Sequence, residues 1–256
     1  MNKTIKILLI IILLFIIISL TSVMVFFIKN DFRDFNMELI DSYEAEVDEI
    51  EKFYLDLNGT DIEIKESKND NILVEYYSNT DTVVKIENKD NNIVIEEGKS
   101  DKKIKKIFFN NRKKIILFVP ETYVGEYELK TKSGDIKSEI DLSNNKVNIS
   151  SNSGDVSLKA TNNIDISTTS GDIEIYQINK GVKINSTSGD IDIDILNIEE
   201  NSNITSTSGD VNIRKNQSDC YIETNTEHGD IEVNKNDRKS DIVLKIKTTS
   251  GDINVD

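Results

Sequence analysis

INSTSGDIDI, residues 184–193, places a Ser-Gly-Asp turn between two short runs in which apolar and polar side chains alternate. The same arrangement recurs along residues 127–256, with its Gly-Asp pair at Gly134/Asp135, Gly154/Asp155, Gly171/Asp172, Gly189/Asp190, Gly209/Asp210, Gly229/Asp230 and Gly251/Asp252. The successive spacings are 20, 17, 18, 20, 20 and 22 residues, the mark of a structural unit joined by elastic loops. Aligned on the turn, the copies share Leu129, Ile149, Ile166, Ile184, Ile204, Thr224 and Ile246 four places before the Ser position. Two places before it they share a hydroxyl: Thr131, Ser151, Thr168, Ser186, Ser206, Thr226 and Thr248. An Ile or Val always follows the Asp. This is period-two alternation on both sides of a corner, so each unit is two short half-buried strands.

Glycine at the corner has no Cβ and can take positive φ, and an aspartate there can bond the backbone of its own turn. Strands of about four residues cannot bury a face alone, whereas stacked units share one continuous core. The expectation is an all-β, parallel β-solenoid. An antiparallel sandwich of the same strands is the alternative, because the pattern does not set strand direction. Stacking would bring Asp135, Asp155, Asp172, Asp190, Asp210, Asp230 and Asp252 into a column with neighbours ~4.8 Å apart, where like charges repel by ~1 kcal/mol in water. Two devices would offset this: carboxylates that accept backbone N–H groups at the corner or in the next rung, or Ca²⁺ between neighbouring carboxylates. The nine-residue Gly-rich period of calcium-binding β-rolls is absent.

Outward from the repeats, the chain divides into four stretches. Residues 1–28 hold a short tail and Ile7–Ile28, 22 residues without a charge, long enough to cross a ~30 Å hydrocarbon layer. No small-residue cleavage site follows that run, so an uncleaved signal anchor is expected over a removed signal peptide. Residues 29–47 read as an acidic tether. Residues 48–120 are strand-rich, with NGTDIEI (58–64) as a degenerate corner and a basic segment around a turn at Asn110–Asn111. Residues 121–256, after the only proline, Pro120, hold the repeats. They close on GDINVD, which leaves Ile253 and Val255 expected at an open end of the stack, guarded by Asp256. A monomer is expected, with a self-assembling filament as the alternative.

Charge excludes some functions. From Lys29 onward lie all 46 acidic residues and 29 of the 31 basic ones, a net charge of −17, which disfavours nucleic acid. The basic residues Lys102, Lys103, Lys105, Lys106, Arg112, Lys113 and Lys114 read either as a solvated hairpin or as a contact for an anionic envelope polymer or lipid headgroups. The single His, His228, occupies the Ser place of the sixth corner, and the single Cys, Cys220, lies beside the inward-facing Ile222. Neither has a partner at catalytic or metal-ligand spacing, and no Gly-rich phosphate loop is present. No cofactor is implied. A carbohydrate-active solenoid using Asp190, Asp192 and Asp194 is the remaining enzymatic reading, although Tyr176 and Tyr221 are the only aromatics after Tyr127 for sugar stacking.

An apolar N-terminal run, loose strands, a β-run ending in LFVP (117–120), then serial units such as TKSGDIKSEI (131–140) and STSGDIDIDI (186–195) resemble the bacterial adhesin-like family of unknown function that includes the LiaG-type proteins of cell-envelope stress operons. The resemblance spans residues 53–256. It implies a membrane-associated, extracytoplasmic β-repeat protein with no established activity. Taken with the anchor and the lack of a catalytic constellation, the expectation is a non-enzymatic interaction or scaffold module in envelope maintenance or stress response, single-pass in the plasma membrane. The expected partner is an envelope protein or an anionic cell-wall polymer.

Overall fold

The computed structural model describes residues 37–98 and 112–256. The first strand, β1 (Glu38–Glu46), lies within the expected tether and pairs with β4 (Asn71–Ser78). Only Ala45 of β1 is buried, so charged side chains hide the strand from a hydropathy reading. Between them come β2 (Lys52–Leu57) and β3 (Asp61–Glu66), followed later by β5 (Val84–Lys89), β6 (Asn92–Glu97) and β7 (Lys113–Val119). The repeats then give β8 (Glu126–Thr131), β9 (Ile136–Asp141), β10 (Lys146–Ser153), β11 (Val156–Ser170), β12 (Ile173–Ser186), β13 (Ile191–Leu196), β14 (Ser202–Thr205) and β15 (Val211–Ile213). The remaining strands are β16 (Tyr221–Asn225), β17 (Ile231–Val233), β18 (Val243–Lys247) and β19 (Ile253–Val255).

Every strand pairing among the repeats is parallel, so the solenoid forms and the sandwich does not. The strands before the corners form one ladder and those after the corners a second. Each corner joins the two, and β11 and β12 run on from the second ladder of one rung into the first ladder of the next. Inward Ile, Val and Leu side chains stack rung upon rung: Ile166, Ile184 and Ile204 in one column and Ile173, Ile191 and Val211 in the other are all at most 1% exposed. Full burial of one such side chain contributes roughly 1.5–3 kcal/mol, and no short strand could achieve it unstacked.

Rung order departs from chain order at both ends. The first ladder runs β6, β2, β8, β10, β11, β12, β14, β18, β16, and the second runs β7, β3, β9, β11, β12, β13, β15, β19, β17. The rung β18–β19 is thus inserted between β14–β15 and β16–β17. This corrects the expectation that Ile253 and Val255 sit at an open end, since they are 0% and 1% exposed. At the other end the chain lays down β2–β3 first, builds β6–β7 outside it and returns to place β8–β9 on its inner side. Antiparallel pairings of β5 with β6 and of β4 with β7 then close that end.

The region 48–120 and the repeats share this core, and Leu39–Asp256 forms one compact unit with no break near residue 121. Phe53 on β2 stacks on Tyr127 of β8 with ring centroids 5.1 Å apart, and Tyr123 meets both edge-on, so an aromatic cluster spans the expected boundary. Among the described residues no helix is long and apolar enough to cross a membrane. Ile7–Ile28 and Lys102, Lys103, Lys105 and Lys106 lie outside the described residues, as does the turn at Asn110–Asn111.

Candidate interaction site: the corner column and the terminal rung

The corners stack into a hydrogen-bonded ladder. The N–H of Asp155 donates to Asp135 Oδ1 at 2.9 Å, that of Asp172 to Asp155 and that of Asp190 to Asp172, both also at 2.9 Å. Asp210 then donates to Asp190, Asp252 to Asp210 and Asp230 to Asp252, each at 2.8 Å. The degenerate corner joins in, because Asp135 N–H donates to Asp61 Oδ1 at 3.1 Å. Burial pushes the Asp61 carboxyl up from the ordinary range, against the bond from Asp135. Each Asp carbonyl in turn accepts the N–H that follows the neighbouring corner, as Asp190 accepts from Ile173 at 2.9 Å. The carboxylates therefore splice adjacent turns together, which is the N–H-accepting device of the two considered. Among the described residues no group of three His, Cys, Asp or Glu side chains is placed to hold a metal ion.

Glycine is required here for a reason the sequence did not disclose. Gly189 has φ +110, as expected of a left-handed corner, and Gly154, Gly171, Gly209 and Gly251 share that region. Gly134 and Gly229 do not, which corrects the reading of all seven as positive-φ corners. All seven instead share close stacking: a Cβ on any of them would come within 3.0 Å of the carbonyl oxygen of the corner residue beneath, Gly171 in the case of Gly189. The buried hydroxyl column supports the same turns, with Thr168 Oγ1 donating to the Ser170 carbonyl at 3.0 Å and Ser186 Oγ to that of Ser188 at 3.1 Å.

Where the rung β6–β7 lacks a Gly-Asp corner, Glu97 supplies the carboxylate. It accepts from the N–H groups of Asn58 (2.8 Å) and Gly59 (3.2 Å) and from Thr60 Oγ1 (2.9 Å), and it pairs with Lys113. Burial opposes its charge, but Lys113 and the three donors hold its carboxyl below the usual range. Lys114 is paired with Glu63 in the same way, so both lysines are committed within the fold, and of Arg112, Lys113 and Lys114 only Arg112 is exposed. Asp192 and Asp194 are likewise engaged, both by Arg214, so they do not form a free acid pair beside Asp190. Cys220 is 1% exposed, and burial pushes its thiol up from its ordinary value.

The outermost rung, β16–β17, is the place where the pattern opens. The residue after the Asp is at most 1% exposed at Ile136, Val156, Ile173, Ile191, Val211 and Ile253, but Ile231 is 46% exposed. His228 is exposed at this corner, and its N–H and carbonyl pair with Thr249 and Gly251. The two edges of the rung differ. Beside β16, the Asn236 side chain accepts from Ile222 N–H at 3.0 Å and donates to Ile222 C=O at 2.8 Å, occupying that edge as a strand would. Beside β17 nothing among the described residues does so. None of Glu97, Asn236 and Arg214 was flagged from sequence, because none belongs to the repeating profile.

Residues 50–256 match the family described as Toastrack DUF4097. Among solved structures, the chain is similar to a candidate cell adhesion protein from Clostridium sporogenes, at 17% identity over 84% of this chain and 97% of that one, with a TM-score of 0.38. It is similar also to a candidate adhesin from Bacteroides fragilis (17% identity, 86% and 97% covered, TM-score 0.44). A third is a candidate lipid binding protein from Parabacteroides distasonis (15%, 84% and 96%, 0.43). No curated protein matches the chain.

Proposed function

The chain belongs to the Toastrack DUF4097 family, and from that premise we propose that it is a non-enzymatic interaction module held at the outer face of the plasma membrane. The observation that carries this reading is the 22-residue uncharged run Ile7–Ile28 set directly before a body of net charge −17. Such a run is long enough to span a bilayer, and the body presents stacked, regularly spaced side chains in place of an enclosed reaction site. The side chains best suited to chemistry are already used within the fold: the corner aspartates by backbone N–H groups, Asp192 and Asp194 by Arg214, and Glu97 by Lys113. The body acts as a monomer whose partner is an envelope component, in envelope maintenance or stress response.

Protease treatment of intact cells tests the location. Digestion of the body from outside, with the N-terminal segment protected in the membrane fraction, is the expected result. A body cut only after lysis, or recovered from the soluble fraction, overturns the proposal.

A further inference from the structure

We infer that the free edge of β17 (Ile231–Val233) is a docking site for one extended polypeptide strand with an apolar–cationic–apolar pattern, added parallel to β17. This deepens the interaction-module reading and rests on it.

The backbone supplies the first argument. Ile253 N–H donates to Asp230 C=O, and Asn234 N–H donates to Val255 C=O, both at 2.9 Å. In a parallel ladder the residues that bond a given neighbour alternate, so Asp230, Glu232 and Asn234 face β19 while the N–H and C=O groups of Ile231 and Val233 face away from it. An edge of this kind takes another strand. Asp230 also closes the carboxylate column: every other corner Asp accepts an N–H from the rung beyond, and beyond Asp230 there is no rung among the described residues.

The side chains then specify the occupant. A strand in register with β17 would set apolar residues against Ile231 and Val233, whose inner faces continue the columns ending at Ile253 and Val255. Between them its side chain would lie beside Glu232. Glu227, Asp230 and Glu232 are exposed and none is in an ion pair, so that place favours Lys or Arg. The residue overlying Gly229 is required to be glycine, since every corner forbids a Cβ above the carbonyl beneath it.

The neighbouring edge limits the occupant to one strand. Asn236 holds the Ile222 backbone groups, Ile222 itself is 3% exposed, and Thr224 stands where the other repeats have Ile or Leu. A second copy stacked end to end would need both edges open. It would also bring acidic end against acidic end.

The test is amide hydrogen exchange by mass spectrometry on the full-length chain in detergent micelles, with the acetylated peptide Gly-Asp-Ile-Lys-Val-amide as probe and the Glu-for-Lys peptide as its control. The Lys peptide is expected to slow exchange in the fragment spanning Ile231–Asn234 by about tenfold at saturation, with no change around Ile222. Ile231→Lys, at an exposed position, abolishes the protection, and Glu232→Lys transfers it to the Glu peptide. Equal protection by both peptides, or none, overturns the site. Protection that appears without peptide and grows with protein concentration assigns the edge to a second copy and overturns it too. A full chain carrying Ile231→Lys that still crosslinks to its envelope neighbours on intact cells overturns the edge site while leaving the interaction module standing. A body located in the cytoplasm removes the module while leaving the peptide result intact.

Discussion

Replacing Asp190 separates what its carboxylate accepts from the charge it carries. Its Oδ1 accepts Asp210 N–H at 2.8 Å, while its own N–H donates to Asp172. A hydrogen bond to a charged acceptor contributes about 1.5–3 kcal/mol and a neutral one about 0.5–1.5. Against this stands repulsion from the carboxylates of Asp172 and Asp210, each ~4.8 Å away by strand spacing. Each such pair costs about 0.9 kcal/mol in water, and physiological salt roughly halves it, leaving about 1 kcal/mol for the two neighbours together. Asp190→Ala loses the bond and relieves the repulsion, a net loss of about 0.5–2 kcal/mol, or roughly 1–8 °C in Tm for a unit of this size. Asp190→Asn keeps an acceptor oxygen and loses only the charge assistance, about 1 kcal/mol, which the relieved repulsion offsets. Its Tm should lie within about 2 °C of the parent. Added salt should stabilise the parent more than the Asn variant. The assay is thermal unfolding of the full chain followed by circular dichroism across a salt series. If Asn proves as damaging as Ala, or if millimolar Ca²⁺ raises the parent's Tm and a chelator reverses it, the carboxylates serve a cation and the hydrogen-bonded column is refuted.

Three further outcomes follow from the same geometry. Gly189→Ala and Gly229→Ala should both lower Tm although only Gly189 has positive φ, the first by roughly 2–4 kcal/mol and the second by less, because an end rung can shift away from the clash; an unchanged Tm for Gly189→Ala would contradict the close stacking. Glu97→Gln should cost up to about 3 kcal/mol by leaving the largely buried Lys113 without its partner. Because the folded Glu97 carboxyl lies below its ordinary range, its contribution is complete above about pH 4.3 and fades as pH falls through the lower folded value. Acid titration of Tm should therefore show a smaller drop in the variant than in the parent. Finally, deleting Val243–Asp256 should release β16 and β17 as well, visible as fast amide exchange throughout Tyr221–Val233, since both strands pair with that rung; retained protection there would show that β16–β17 can rest on β14–β15.

The corners were legible because Gly and Asp are each demanded by a local contact that repeats. So were the two ladders, since alternation around Ser-Gly-Asp allows few other outcomes. Rung order was not legible, because the profile that makes a repeat stack is the same at every position: Ile253 fits above Val211 as well as Ile231 would. The signals that could have revealed it are departures from that profile. Thr224 replaces the inward Ile, His228 replaces Ser, and the sixth unit is followed by a 22-residue spacing that holds Asn236. A unit that relaxes its pattern in three places is the one with solvent on one side. Glu97 escaped notice for the opposite reason, since it does the work of a corner carboxylate without the corner's sequence.

The inverted order of the outer rungs also bears on how such a chain lengthens over evolution. A tandem duplication adds a unit next to its parent, and in the monotonic run from β8 to β15 the newcomer can simply take the next place. At either extremity it cannot. A copy of β16–β17 would be caught where the later rung β18–β19 lies between two earlier ones, and a copy of β2–β3 where that early rung is enclosed by the later β6–β7 and β8–β9. Relatives with more or fewer units should therefore differ in the middle, with both interlocked extremities inherited whole.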